Sequence, residues 1–197
     1  MSKSFLESDV TTEKYFNWTT KAITSRFINN LYEELKSQKP ETVLDIGCGT
    51  GYITNIIRKE LNLSIVGSDL NFERISFAQK NFCEEVCIAD IMKLPFRDNS
   101  FDKVISSEII EHICSPETAL KEINRVSKRY AIITVPHEPY FRIGNFLRAK
   151  HIASFGNPLD HINHYNKKTF RKTLQPFFSS VDIKNNALFW MMGILEK

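Results

Sequence analysis

No apolar run in the chain approaches the ~20 residues of a membrane-spanning helix. The first nine residues are polar overall and lack the apolar core of a secretion signal, so no export is expected. The four cysteines, Cys48, Cys83, Cys87 and Cys114, have no paired spacing of a metal knuckle. They read as reduced thiols of a cytoplasmic protein. There is no internal repeat and no low-complexity linker, which leaves a single domain for 197 residues. Neither sign of charge dominates, with 26 Lys and Arg against 23 Asp and Glu. A hydrophobic content of 42% is enough for a proper core.

The charge is unevenly spread. Between His137 and Lys172 there are seven basic residues against the two acids Glu138 and Asp160, a local +5 in a chain of +3. Such a surface attracts phosphate, nucleic acid or an anionic membrane, or is simply a solvated face.

Ile23, Phe27, Leu31 and Leu35 recur every four positions and predict an amphipathic helix from about Glu13 to Ser37, ended by Pro40. Strands and helices then alternate. Strands are expected at Thr42 to Gly47, Ser64 to Asp69, Val86 to Asp90, Phe101 to Ser107 and Tyr130 to Val135. Helices are expected at Ile53 to Leu61, Phe72 to Phe82 and Pro116 to Val126, and two last strands between Val181 and Leu195. Strict alternation implies an α/β fold, a doubly wound and mostly parallel sheet with helices on both faces. Between Pro136 and Thr169 the period is lost, and an aromatic segment this long inside a compact domain is usually functional. The expected organisation is a helical cap over 1–38, a ligand-binding core over 39–135, a lid over 136–169 and a terminal helix with the last strands over 170–197.

The most informative run is Val43-Leu44-Asp45-Ile46-Gly47-Cys48-Gly49-Thr50-Gly51. A buried strand runs into a tight turn whose glycines let the backbone approach a ligand. The following helix should start near Tyr52, with its free N–H groups facing that turn. The spacing is G-x-G-x-G, not the G-x-G-x-x-G of dinucleotide sites. Asp45 would repel a pyrophosphate and suits an ammonium group. Asp69 and Asp90 stand at the ends of the second and third expected strands, where an open α/β sheet binds its ligand.

The run resembles motif I of the class I S-adenosylmethionine-dependent methyltransferases. The stretch Leu94-Pro95-Phe96-Arg97-Asp98-Asn99-Ser100-Phe101-Asp102 resembles that family's segment before the fourth strand, with Asp102 read as orienting a turn. The resemblance covers about Pro40 to Val135 and implies a Rossmann-like seven-stranded sheet. It implies S-adenosylmethionine as cofactor, with Asp45, Gly47, Cys48, Gly49 and Gly51 at its methionine end. Asp69 would accept the ribose hydroxyls and Asp90 the adenine amino group, with Leu70 and Ile91 against the ring and Ser106 close by.

The fourth strand runs into Glu108-Ile109-Ile110-Glu111-His112, and Asp160-His161 follows the fifth. This E-x-x-E-H pattern resembles two O-methyltransferase groups, those acting on small-RNA 2′-hydroxyls and those of the ubiquinone pathway. The resemblance implies a divalent metal (Mg²⁺, Mn²⁺, Fe²⁺ or Zn²⁺) on Glu108, Glu111, His112 and His161. Without metal, His112 or His161 would serve as a plain general base.

The sequence has no Asn-Pro-Pro-Tyr-type tetrad after the fourth strand, so methylation of an adenine or glutamine amino group is unsupported. No cysteine stands there for attack on a pyrimidine carbon. The leading expectation is methyl transfer to a hydroxyl of a small molecule. The alternatives are an RNA 2′-hydroxyl as acceptor and a catalytically silent cofactor-binding subunit. The oligomeric state is left open.

Overall fold

The computed structural model describes residues 21–37, 39–82, 85–149 and 154–197. Helix α1 (Lys21–Ser37) leads into strand β1 (Thr42–Ile46), helix α2 (Tyr52–Leu61) and β2 (Ser64–Asp69). Next come α3 (Phe72–Asn81), β3 (Val86–Ile88) and β4 (Phe101–Ser107), then a 3-10 turn at Ile110–His112. Helix α4 (Pro116–Val126), β5 (Ser127–Pro136), α5 (Tyr140–Leu147), α6 (Lys167–Leu174), β6 (Ser180–Asn186) and β7 (Trp190–Glu196) complete the chain.

The sheet runs β3-β2-β1-β4-β5-β7-β6. All pairings are parallel except those of β7, which lies antiparallel to β5 and β6. Both faces are covered, as a parallel sheet requires. Val43, Ile65, Ile105 and Ile132 pack under Leu31 and Leu35 of α1 and Ile57 of α2. Their strand neighbours Leu44, Val104, Ala131 and Ile133 face the other way, onto Leu120 and Ile123 of α4. Strand order reverses at β1, which lies between β2 and β4, so the ligand crevice opens at the carboxyl ends of these strands.

Two β4 residues hold the far end of the sheet. Asp102 Oδ2 accepts hydrogen bonds from Glu41 N (3.1 Å), Thr42 N (2.8 Å) and Thr42 Oγ1 (2.9 Å), tying β4 to the start of β1. Asp102, expected to orient a turn, thus ties two neighbouring strands. Lys103 is fully buried, and its ammonium donates to Glu34 O at 3.1 Å beneath α1.

Several expected boundaries shift. The first helix is seen from Lys21, its expected beginning at Glu13 lying outside the described residues. β3 stops at Ile88, because Asp90 turns back to bridge Lys93. β5 begins at Ser127, three residues early. The segment after Pro136 is not aperiodic throughout. It holds the eight-residue helix α5 and the start of α6, which is capped by Asn166 through Lys168 N and Thr169 N. Cys83 lies outside the described residues, and Cys87 and Cys114 are free thiols.

Candidate active site

The turn after β1 is held in a shape that suits glycine. Gly47, Gly49 and Gly51 have φ of 74°, 57° and 76°, the left-handed region that side chains disfavour. A Cβ on Gly47 would stand 2.2 Å from Ile109 Cδ1, whereas one on Gly49 would meet nothing within 4 Å. The turn is therefore pressed against the β4 exit on one side and open on the other. Asp69 braces it, with Oδ2 accepting from Gly49 N (3.0 Å) and Oδ1 from Asn71 N (2.8 Å).

A cavity of about 650 Å³ opens on this turn. Asp45, Gly47, Cys48 and Gly49 form one end. The rest is walled by Phe27 of α1, Phe141 and Leu147 of α5, and Phe189 and Trp190 at the β6–β7 turn. Gly144 lets α5 approach that turn, since a Cβ there would stand 2.7 Å from Phe189 Cε1.

Two acids border the cavity. Asp45 Oδ2 accepts from Thr54 Oγ1 at 2.6 Å. Burial pushes its carboxyl up to about 6, with the Thr54 bond opposing and the charge of Asp69 adding. Glu108 breaks the line of β4 with a left-handed φ of 58°. Its carboxylate accepts from Trp190 Nε1 (2.6 Å) and Thr134 Oγ1 (3.3 Å). Burial pushes it up to about 8, against both of these donors.

The structure brings three of the four expected metal ligands together. One ligand atom from each of Glu111, His112 and His161 lies within 4.8 Å of the others. Glu108 is not in this group, its carboxylate accepting instead from Trp190 Nε1 and Thr134 Oγ1. Glu111 is 1% exposed, and neither carboxylate oxygen has a hydrogen-bond partner among the described residues. Burial and the neighbouring charges of Glu108 and Asp160 hold its carboxyl well above the usual range. His112 Nδ1 lies 2.9 Å from Asp160 O, and its ring meets His161 edge-on at 4.8 Å. The His161 segment is pinned to β4's exit, with Ile162 N and Asn163 N both donating to Glu111 O at 2.9 Å. None of these three side chains borders the cavity.

The other expected positions divide. Gly51 sits at the N-cap of α2. Asp69 is buried behind the turn, and Leu70 is 69% exposed at the β2 exit. Asp90 is exposed, with Oδ1 accepting from Met92 N at 2.8 Å, while Ile91 packs into the core. Strand alternation puts Ile105 and Ser107 on the cavity wall, and Ser106 is fully buried. The aromatic wall carries no local signal, since Phe27, Phe141 and Trp190 look like ordinary core residues of their elements.

A methyltransferase domain model matches residues 44–135. Norajmaline N-methyltransferase of Rauvolfia serpentina is 33% identical over 54% of this chain and 38% of its own length. The malonyl-[acyl-carrier protein] O-methyltransferase of Neorickettsia risticii is 33% identical over 54% of this chain and 43% of its own. The chain thus spans about two fifths of the length of these relatives. Magnesium protoporphyrin IX methyltransferase of Synechocystis, solved with bound S-adenosylhomocysteine, superposes over the whole of both chains. Its TM-score is 0.68 at 14% identity, a likeness of fold.

Proposed function

As the chain belongs to the class I S-adenosylmethionine-dependent methyltransferases, we propose that it passes the donor's methyl group to a hydroxyl oxygen of a small molecule held in this cavity. The observation that carries the reading is the cavity itself, which runs from the glycine turn to Glu108. The donor supplies an activated methyl on a sulfonium sulfur, so the chain's own residues have two tasks. They hold the acceptor oxygen in line, and they take its proton. Asp45 faces the donor's ammonium, the open face of Gly49 admits its backbone, and Asp69 lies at the ribose position. Glu108, the acid on the aromatic side, takes the acceptor's proton in place of the expected His112 or His161.

Calorimetry with S-adenosylmethionine and its demethylated product tests the donor site. Asp69→Ala is expected to weaken binding by about 1–3 kcal/mol, through lost ribose contacts and a released Gly49 N–H. No binding of either compound to the parent protein refutes the assignment. Lys167, Lys168 and Lys172 are exposed on α6 and favour RNA as the second acceptor class. RNA with free 2′-hydroxyls therefore belongs in the activity panel. Donor binding with no methylation of any acceptor would favour the silent-subunit reading.

A divalent cation fits Glu111, His112 and His161. The fit rests on the donor set, two imidazoles beside a buried carboxylate without a hydrogen-bond partner. With its Nδ1–H donating to Asp160 O, His112 keeps the Nε2 lone pair for a metal. The cation would neutralise Glu111 and clamp the segment after Asp160 onto the exit of β4. Stabilisation of about 2.7 kcal/mol is expected at a metal concentration near 100 times Kd. Zn²⁺, Mg²⁺, Mn²⁺ and Fe²⁺ titrated against thermal unfolding, with EDTA reversal, check this. No shift with any of them would remove the metal.

A further inference from the structure

Helix α5 is amphipathic the wrong way round for a buried element. Its inner face, with Phe141 and Gly144, covers the cavity. Its outer face carries Tyr140, Ile143, Phe146 and Leu147, which are 49%, 51%, 47% and 79% exposed. Phe155, 74% exposed, lies parallel to Phe146 at 6.5 Å and extends the same face. A contiguous apolar face of this kind on a folded domain marks an interaction site.

Cations stand at both ends of this helix. At its start, Glu138 N donates to Tyr165 O at 2.8 Å, which brings the exposed Lys167, two residues further on, beside the beginning of α5. At its end, Arg148 is exposed and borders the cavity. An apolar helix face between cations is the pattern of a helix lying in the headgroup layer of an anionic bilayer. Nucleic acid would complement the cations but leave the apolar face uncovered, whereas an anionic bilayer complements both. No helix among the described residues is long and apolar enough to cross a membrane.

We propose that α5 and the Phe146–Phe155 pair dock on an anionic lipid surface, with Lys167 and Arg148 on the headgroups. Leu147 and Arg148 belong both to this face and to the cavity wall. Docking therefore brings the cavity wall to the bilayer, where apolar acceptors dissolve. The docking itself does not depend on which acceptor is methylated.

Co-sedimentation of the full chain with vesicles tests it. The chain is expected to pellet with phosphatidylcholine vesicles containing about a third phosphatidylglycerol and to stay in solution with pure phosphatidylcholine, with pelleting weakened by salt. Ile143→Glu with Phe155→Glu should lower the partition at least about tenfold, since each places a carboxylate against acyl chains. Lys167→Glu should lower it about fivefold or more. Neither pair member nor Lys167 borders the cavity, so affinity for S-adenosylmethionine reports that each variant is folded. No pelleting with anionic vesicles at low salt overturns the proposal. So does equal pelleting of the double variant, or a concentration-dependent dimer that the double variant abolishes. Loss of donor binding in the parent protein would instead strike the methyltransferase reading.

Discussion

Replacing Glu108 with Gln is expected to lower turnover by about 10²- to 10⁴-fold while S-adenosylmethionine binds nearly as before. The amide is the same size and its oxygen can still accept from Trp190 Nε1, so the local packing survives. What it cannot do is accept a proton. The acceptor's oxygen must lose one as its new bond to carbon forms, and Glu108 is the acid that the aromatic part of the cavity presents. Burial holds its carboxyl at about 8, so the carboxylate accumulates only as the pH climbs towards that value. Turnover should therefore rise from neutral pH to mildly alkaline pH in the parent and lose that rise in the variant. Single-turnover kinetics with saturating donor read the step directly. Near-parental rates for Glu108→Gln would return the proton to His112 or His161.

Much of the scaffold is legible in the amino-acid sequence, and the reason is physical. β5 is buried on both faces from Ala131 onward, so it appears as an almost continuous apolar run that Pro136 ends. The glycine turn is legible because left-handed φ values at alternate positions suit few other residues. The site is harder. Glu108, Glu111 and His112 look like one cluster in sequence, yet Glu108, at a left-handed φ, bonds to Trp190 and Thr134 and is not in the group that the other two form with His161. Its partner Trp190 is 82 positions away, and nothing local announces that contact. Ser106, expected at the cofactor, is buried between Ile105 and Ser107, which line the cavity, and in a strand one residue is the difference between opposite faces. Lys103 stands next to Asp102 near the start of β4, and nothing local announces that its ammonium reaches Glu34 O. The outward apolar face of α5 hides for the opposite reason, since buried and exposed apolar residues look alike in sequence.

Between pH ~7 and ~5, affinity for S-adenosylmethionine is expected to fall by about tenfold. The cause lies in Asp45. Its carboxyl is pushed up to about 6 by burial, with Thr54's hydrogen bond opposing and Asp69's charge adding. An unpaired carboxylate there is costly, and the donor's ammonium is the charge that would relieve it. The complex then holds Asp45 ionised where the free protein holds it protonated, so binding below about 6 releases a proton. Affinity consequently rises with pH through that value. Stability of the ligand-free fold runs the other way. A carboxyl raised above its unfolded value of ~3.9 favours the fold when protonated, and that contribution is lost as pH rises through about 6. Opposite trends of affinity and ligand-free stability over the same window are a signature that a general acid instability would not give. Calorimetry in two buffers of different ionisation enthalpy counts the released proton. Asp45→Asn should flatten the affinity profile and weaken binding by about 1.5–3 kcal/mol at neutral pH, the size of a lost charged hydrogen bond. An affinity that stays level from pH ~7 to ~5, with Asp45→Asn binding as tightly as the parent, would put the ammonium elsewhere in the cavity.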